Sequence, residues 1–189
     1  MQKRILGVVG SPRKNGNTDI LVSRVLAGAS SVGALIKLIR LGDLDITECD
    51  GCHVCWQGEH CAKKDDMEEL YREIIQSDGI VLGTPVYWYG PTALMKGFID
   101  RLVFFNSPLH RGLIRGKSLM VVIPFEETDM NTVKPVIDFF DRCFTFLEMK
   151  LVEKLVVPGV SRKGEVVTKS EKWLREAFES GQKLGSGLT

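Results

Sequence analysis

The sequence predicts an α/β protein: five strands in one parallel sheet, with helices on both faces as a three-layer sandwich. Three observations predict it. Short runs such as ILGVV at 5–9, GIVLG at 79–83 and LMVVI at 119–123 are apolar at nearly every position without alternation, as in strands covered on both sides. These runs alternate with segments whose apolar residues recur at helical spacing, which requires parallel pairing and right-handed crossovers. At 189 residues, 44% hydrophobic and 26% charged, the chain is large enough for a full core and ordinary enough for a single domain over 1–189.

The elements follow in order. Ile5 to Val9 is the first strand, and Gly10 to Thr18 is a loop of small, polar and basic residues. Thr18 to Ala29 keeps Ile20, Leu21, Val25, Leu26 and Ala29 on one helix face. Ala34 to Leu41 is a second strand, and its Lys37 and Arg40 point to a sheet edge. An irregular, cysteine-rich insertion fills about 42–64, longer than loops in compact domains usually run. Asp66 with Glu69 reads as a capping box for a helix that buries Met67, Leu70, Tyr71, Ile74 and Ile75. Strand three, Gly79 to Gly83, ends in TPVYWYGP, and Pro91 fits the first turn of a helix carrying Leu94, Met95, Phe98, Ile99 and Leu102. Lys117 to Phe125, Thr132 to Leu147 and Leu151 to Val157 give strand, helix and strand. Pro158 to Val166 reads as loop. Ser170 caps a last helix with Trp173, Leu174, Ala177 and Phe178 inward, and the tail after Gly181 reads as loose.

Charge and composition exclude several functions. With 25 basic and 24 acidic residues the net charge is +1, which provides no global attraction for nucleic acid or anionic lipid. No run approaches a membrane span, and the apolar stretch near the N-terminus is too short for a signal peptide, so a cytoplasmic protein is expected. Four of the five cysteines lie between Cys49 and Cys61, which in a reducing compartment points to metal rather than disulfides. Cys143, in a Phe-rich helix, reads as a buried apolar thiol.

Two loops carry the chemistry. A strand end running into a helix N-terminus gathers free amides and the positive end of a helix dipole, and so binds phosphate. Gly10 and Gly16 are too far apart for the triphosphate loop G-x-x-x-x-G-K-[ST], Asn17 stands where its Lys belongs, and G-x-G-x-x-G is absent. What fits is a phosphomonoester such as that of flavin mononucleotide (FMN); the alternative is a plain turn that binds nothing. In open α/β sheets ligands sit at the carboxyl ends of strands where the strand order reverses, and in the order 2-1-3-4-5 that point lies between strands one and three. The loop after strand three supplies Tyr87 and Trp88 as neighbours for a flat ring, with the peptide groups of Pro85 to Gly90 at its edge; core packing is the alternative for each aromatic.

Together, GSPRKNGNT, TPVYWYGPTALMKGFIDR and the cysteines between them resemble the NADPH-dependent FMN reductase-like branch of the flavodoxin-like superfamily, and within it the iron–sulfur flavoproteins. The resemblance implies a flavodoxin-like fold and FMN as cofactor. It places Ser11, Arg13, Asn15, Asn17 and Thr18, with Gly16 in the same loop, on the phosphate, and Pro85, Val86, Tyr87, Trp88 and Gly90 around the ring. It also implies a homodimer or homotetramer.

The cysteine spacing C-x2-C-x2-C-x5-C suits a [4Fe–4S] cluster on Cys49, Cys52, Cys55 and Cys61. Structural zinc and free thiols remain alternatives, and His53 and His60 read as exposed loop residues rather than ligands. No Ser/His/Asp set or carboxylate pair demands a protein nucleophile or base, so no catalytic side chain is assigned. The leading reading is a redox flavoprotein passing electrons from ferredoxin or NAD(P)H to an acceptor through FMN and the cluster. The alternatives are an NAD(P)H-dependent FMN or quinone reductase without a cluster, and a zinc-binding module without enzymatic activity.

Overall fold

A computed structural model describes residues 2–58, 60–169 and 171–187. Strand β1 (Arg4–Val9) lies between β2 (Leu35–Arg40) and β3 (Gly79–Gly83), and β4 (Ser118–Pro124) and β5 (Lys150–Val157) complete a parallel sheet of order β2-β1-β3-β4-β5. The flavodoxin-like order expected from the sequence is the order observed. Pairing Val9 with both Arg40 and Gly83 brings the carboxyl ends of β1 and β3 side by side.

The absence of alternation in these strands has a direct physical counterpart, since both faces are covered. Leu6, Val8, Ile80, Leu82, Val121 and Ile123 pack on one side against α3 (Met67–Gln76), α4 (Ala93–Arg101) and α5 (Lys134–Phe146). Ile5, Val9, Val81, Met120, Val122 and Val157 pack on the other against α1 (Asn17–Ser31) and α7 (Glu171–Ser186). The edge strand β2 is half-exposed, and its charges are paired, Lys37 with Glu69 and Glu73 and Arg40 with Asp19. Two short helices, α2 (Val54–Gln57) in the cysteine segment and α6 (Val166–Lys169) before α7, lie outside the layers; the latter falls at the end of the stretch expected to be loop. Among the described residues no helix is long and apolar enough to cross a membrane.

Three local expectations need correction. Asp66 makes no side-chain cap to α3, and Glu69 pairs with Lys37 instead of closing a capping box. The Asp65 carboxylate accepts the Met67 amide, while Asp66 accepts the Asp45 amide across the start of the cysteine segment. Pro91 precedes α4 rather than opening it, because Thr92 is the N-cap and its hydroxyl accepts the Met95 amide at 3.1 Å. The tail is not loose: α7 runs to Ser186 with Leu184 and Gly185 buried. Its expected cap, Ser170, lies outside the described residues.

Glycine explains that last difference. A Cβ on Gly181 would stand 1.9 Å from the Val25 carbonyl oxygen, and one on Gly28 would stand 2.0 Å from that of Phe178. Backbone meets backbone where α1 and α7 cross, so small residues let the final helix approach closely while its apolar Ala177 and Leu184 join the core. Gly181→Ala is therefore expected to destabilise the fold by about 2 kcal/mol through overpacking. Gly97→Ala, at a helical position with nothing within 4 Å, is expected to stabilise it by about 0.5 kcal/mol. Urea unfolding of the two variants checks both signs.

Candidate functional site

The loops after β1 and β3 are joined at their roots. The Gly10 amide donates to the Gly83 carbonyl at 2.7 Å, and a Cβ on Gly10 would lie 2.7 Å from Met95 Cβ, so glycine lets α4 approach this closely. The Thr92 hydroxyl donates to the Gly10 carbonyl while it caps α4, and the Thr92 amide donates to Thr84 Oγ1 at 3.1 Å. Thr84 and Thr92 are both buried. This chain of hydrogen bonds fixes one loop against the other.

Between the loops lies a cavity of about 100 Å³, lined by Ser11, Gly16, Asn17 and Thr18 from the first and by Pro85, Val86 and Tyr87 from the second. Arg13 also lines it. Its guanidinium donates to the Ser161 carbonyl at 2.9 Å, and the Asn17 side chain donates to the Arg162 carbonyl and accepts the Val166 amide. These two side chains thus fasten the segment after β5 across the site. The start of α1 has no side-chain cap, which leaves its first amides, the Ser11 and Thr18 hydroxyls and the remaining guanidinium N–H groups for an anion. A phosphate group fits the size and chemistry of this cradle. A flat ring needs the open surface beyond it, along the half-exposed Tyr87.

The other sequence-predicted residues lie outside the cavity. Asn15 takes a left-handed conformation, φ 56°, and its amide donates to the Asp19 carboxylate. It lines a larger open cleft of about 830 Å³ between α1 and α7, whose Arg40 and Asp19 already satisfy each other at 3.0 Å. Tyr87 and Gly90 exchange backbone hydrogen bonds of 2.9 and 3.0 Å around a two-residue turn. That turn holds Trp88 and Tyr89 at φ 49° and 59° and drives the Trp88 side chain to 96% exposure. Bulky residues in this region cost on the order of 1 kcal/mol each, so the aromatic tip is held outward at the edge of the site. Reasoning from sequence missed the third wall: Pro124, Phe125 and Glu126 at the end of β4, with Ser161 and Lys163. The turn at 161–165 is closed by Glu165, whose carboxyl the Arg162 and Ser161 amides and Lys169 hold down at about 2.

The four clustered cysteines form a second site. Cys49, Cys52, Cys55 and Cys61 line one shallow cavity with Tyr71 and Arg101. Burial pushes the Cys55 thiol up, and the neighbouring Cys61, Cys49 and Cys52 add to it. Among the described residues no three Cys, His, Asp or Glu side chains close on a single metal ion. Four thiols around one concavity are a donor set that zinc and iron–sulfur clusters both use. His53 and His60 are exposed, as expected of loop residues, and Cys143 is partly buried in α5.

Arg101, which the sequence did not single out, holds this segment in place. It is 2% exposed and forms a bidentate pair with Asp65, donates to the Thr47 carbonyl, and directs its second nitrogen at Cys61 Sγ, 3.5 Å away. Burial alone would raise the Asp65 carboxyl, but hydrogen bonds from Arg101 and the Thr47 and Met67 amides outweigh it and hold it below the usual range. Burial works against the guanidinium too, and Asp65 and Tyr71 more than compensate. The cationic fork thus joins both ends of the cysteine segment and places positive charge beside a thiol. A basic residue ending the helix GFIDR looks in sequence like an ordinary complement to the helix dipole.

Comparison with known proteins gives the family. Residues 3–156 match the NADPH-dependent FMN reductase family. An iron-sulfur flavoprotein of Archaeoglobus fulgidus is 35% identical over 114 residues, 60% of this chain and 50% of that protein. One from Methanocaldococcus jannaschii is 37% identical over 109 residues, 58% of this chain and 54% of that protein. The chain thus spans about half the length of these relatives. The solved structure of a Bacillus subtilis Trp repressor binding protein superimposes with a TM-score of 0.69 at 22% identity, covering 95% of this chain and 98% of that one, a likeness of fold.

Two outcomes are expected from the geometry. Thr92→Val keeps the shape but removes the cap and leaves the buried Gly10 carbonyl without its donor; it should cost about 2 kcal/mol in urea unfolding, with Thr92→Ser recovering most of it. Arg101→Met leaves Asp65 buried and unpaired and should cost about 3 to 5 kcal/mol at neutral pH. That deficit should shrink as pH falls through the carboxylate range. The native pair loses its contribution as Asp65 takes up a proton, while the unpaired carboxyl of the variant is relieved by the same proton. Denaturation followed against pH checks the direction.

Proposed function

The chain belongs to the NADPH-dependent FMN reductase family, a family of flavoprotein oxidoreductases, and we propose that it is an iron–sulfur flavoprotein holding FMN between its two loops and a [4Fe–4S] cluster on its four clustered cysteines. One observation carries the reading: a phosphate-sized cradle and an aromatic-edged peptide segment share a cavity at the reversal of strand order, while four thiols share another. The kinship to iron-sulfur flavoproteins supports the second half.

Under this reading the Ser11 and Thr18 hydroxyls and the start of α1 hold the phosphate, and Arg13 offsets its charge. Pro85, Val86 and Tyr87 present peptide groups and one aromatic face to the ring and keep water from that side. Cys49, Cys52, Cys55 and Cys61 supply the thiolates. When bound, FMN exchanges electrons singly or in pairs and the cluster exchanges them singly, so the two together connect two-electron and one-electron carriers. The Arg101 N–H near Cys61 would withdraw electron density from that sulfur and so would favour the reduced state of a cluster held there. The donor is taken to be ferredoxin or NAD(P)H, the setting a reducing cytoplasm, and the working form a homodimer or homotetramer.

Protein prepared without oxygen is expected to show flavin absorbance, with iron and sulfide in equal amounts and no zinc. Cys52→Ala should remove iron and sulfide and leave the flavin. Flavin without iron, even after reconstitution, would leave a cluster-free NAD(P)H-dependent FMN or quinone reductase. A colourless protein that takes up neither group would end the proposal.

A further inference from the structure

Another cavity, of about 440 Å³, adjoins the thiol concavity and shares Cys61, Lys63, Tyr71 and Phe104 with it. Its volume is in the range of small-molecule sites, and nothing in the proposed flavin or cluster chemistry uses it. Its wall is a stack of rings: Tyr71 on Phe104 at 4.2 Å between centroids, and Phe104 on His110 at 3.9 Å. Leu109 and Leu113, both exposed, stand at its mouth. Lys64 and Arg72 supply exposed positive charge on the opposite rim, against one acid, Glu68.

His110 gives the cavity its polar centre. The residue is 7% exposed, and its Nδ1 lies 2.6 Å from Ser107 Oγ and 3.2 Å from the Phe104 carbonyl. The buried Ser107 hydroxyl and the Phe104 carbonyl both meet Nδ1, and in either tautomer Nε2 complements a hydroxyl, accepting through its lone pair or donating its hydrogen. Among the described residues Nε2 has no hydrogen-bond partner, and no fully buried side-chain nitrogen or oxygen is left unpaired, so Nε2 reaches the space that His110 lines. Aromatic walls, a basic rim and one inward ring nitrogen form a set with a definite complement.

We propose that this cavity binds a small flat aromatic acid carrying a ring hydroxyl, with the acid group at Lys64 and Arg72, the ring against Leu109 and Phe104, and the hydroxyl hydrogen-bonded to His110 Nε2. The site needs neither FMN nor the cluster, so it stands apart from the proposed function. A ligand held there would lie against the same wall that Cys61 presents to the thiol concavity.

The test titrates the protein as isolated with 6-hydroxy-2-naphthoate, following the fluorescence of the probe, and measures flavin content in parallel. Saturable one-to-one binding is expected, weakened about tenfold in Lys64→Gln/Arg72→Gln, whose side chains are exposed and whose fold should be unaffected. 2-Naphthol, without the acid, should bind about tenfold more weakly than the probe. His110→Phe should abolish the preference for the probe over 2-naphthoate, which lacks the hydroxyl; if that variant fails to fold, the rim variant still decides. No saturation below about 1 mM, equal affinity in the rim variant, or displacement of the probe by free FMN would overturn the site.

Discussion

One buried hydroxyl, that of Thr92, constrains the geometry on which the rest depends. It receives the Met95 amide and so starts α4, and it gives its proton to the Gly10 carbonyl at the end of β1. One oxygen thus sets the direction of a helix and the separation of two loops from different crossovers. The neighbouring Gly10 amide to Gly83 carbonyl bond and the Thr84 hydroxyl leave these polar groups satisfied away from water. Were the loops free to drift apart by an ångström, the cradle of Ser11, Gly16 and Thr18 would no longer face the wall of Pro85 to Tyr87. A site between strand ends is only as well defined as the bonds that tie those ends together.

The cysteine segment is positioned by a different kind of force. It belongs to neither helical layer and hangs on an ion pair, Arg101 with Asp65, that reaches Thr47 at one end and Cys61 at the other. Charge this deeply buried is costly unless each donor and acceptor is used, and here the fork is spent on a carboxylate, a carbonyl and a thiol. The same α4 therefore serves both sites, its N-terminus tied to the flavin loops by Thr92 and its C-terminus to the thiols by Arg101. The helix is a rigid spacer between the two proposed sites.

Which parts were legible in the sequence follows from how local their causes are. Strands buried on both faces declare themselves by unbroken apolar runs, and the loops after β1 and β3 by residues suited to turns, phosphates and rings. The convergence of Ser11, Thr18, Pro85 and Tyr87 follows once the strand order is known. The direction of Trp88 does not. Its exposure results from a tight turn that forces a left-handed backbone on two bulky aromatics, an arrangement that propensity argues against. Asn17 and Arg13 read as phosphate ligands, yet they also hold down a segment about 150 residues away in sequence.

The sequence alone determined the layers, the strand order through its family resemblance, and the two loops that carry the chemistry, because each rests on patterns a few residues long. Only the tertiary structure decided that α7 continues to Ser186, that Arg101 grips the cysteine segment, and that the walls of the cavity between the two loops include Phe125 and Ser161. These depend on backbone-to-backbone approach at Gly28 and Gly181 and on partners tens of residues apart. The physical reason is range: hydrophobic periodicity acts along the chain, whereas close packing and buried charge are settled only when distant segments meet.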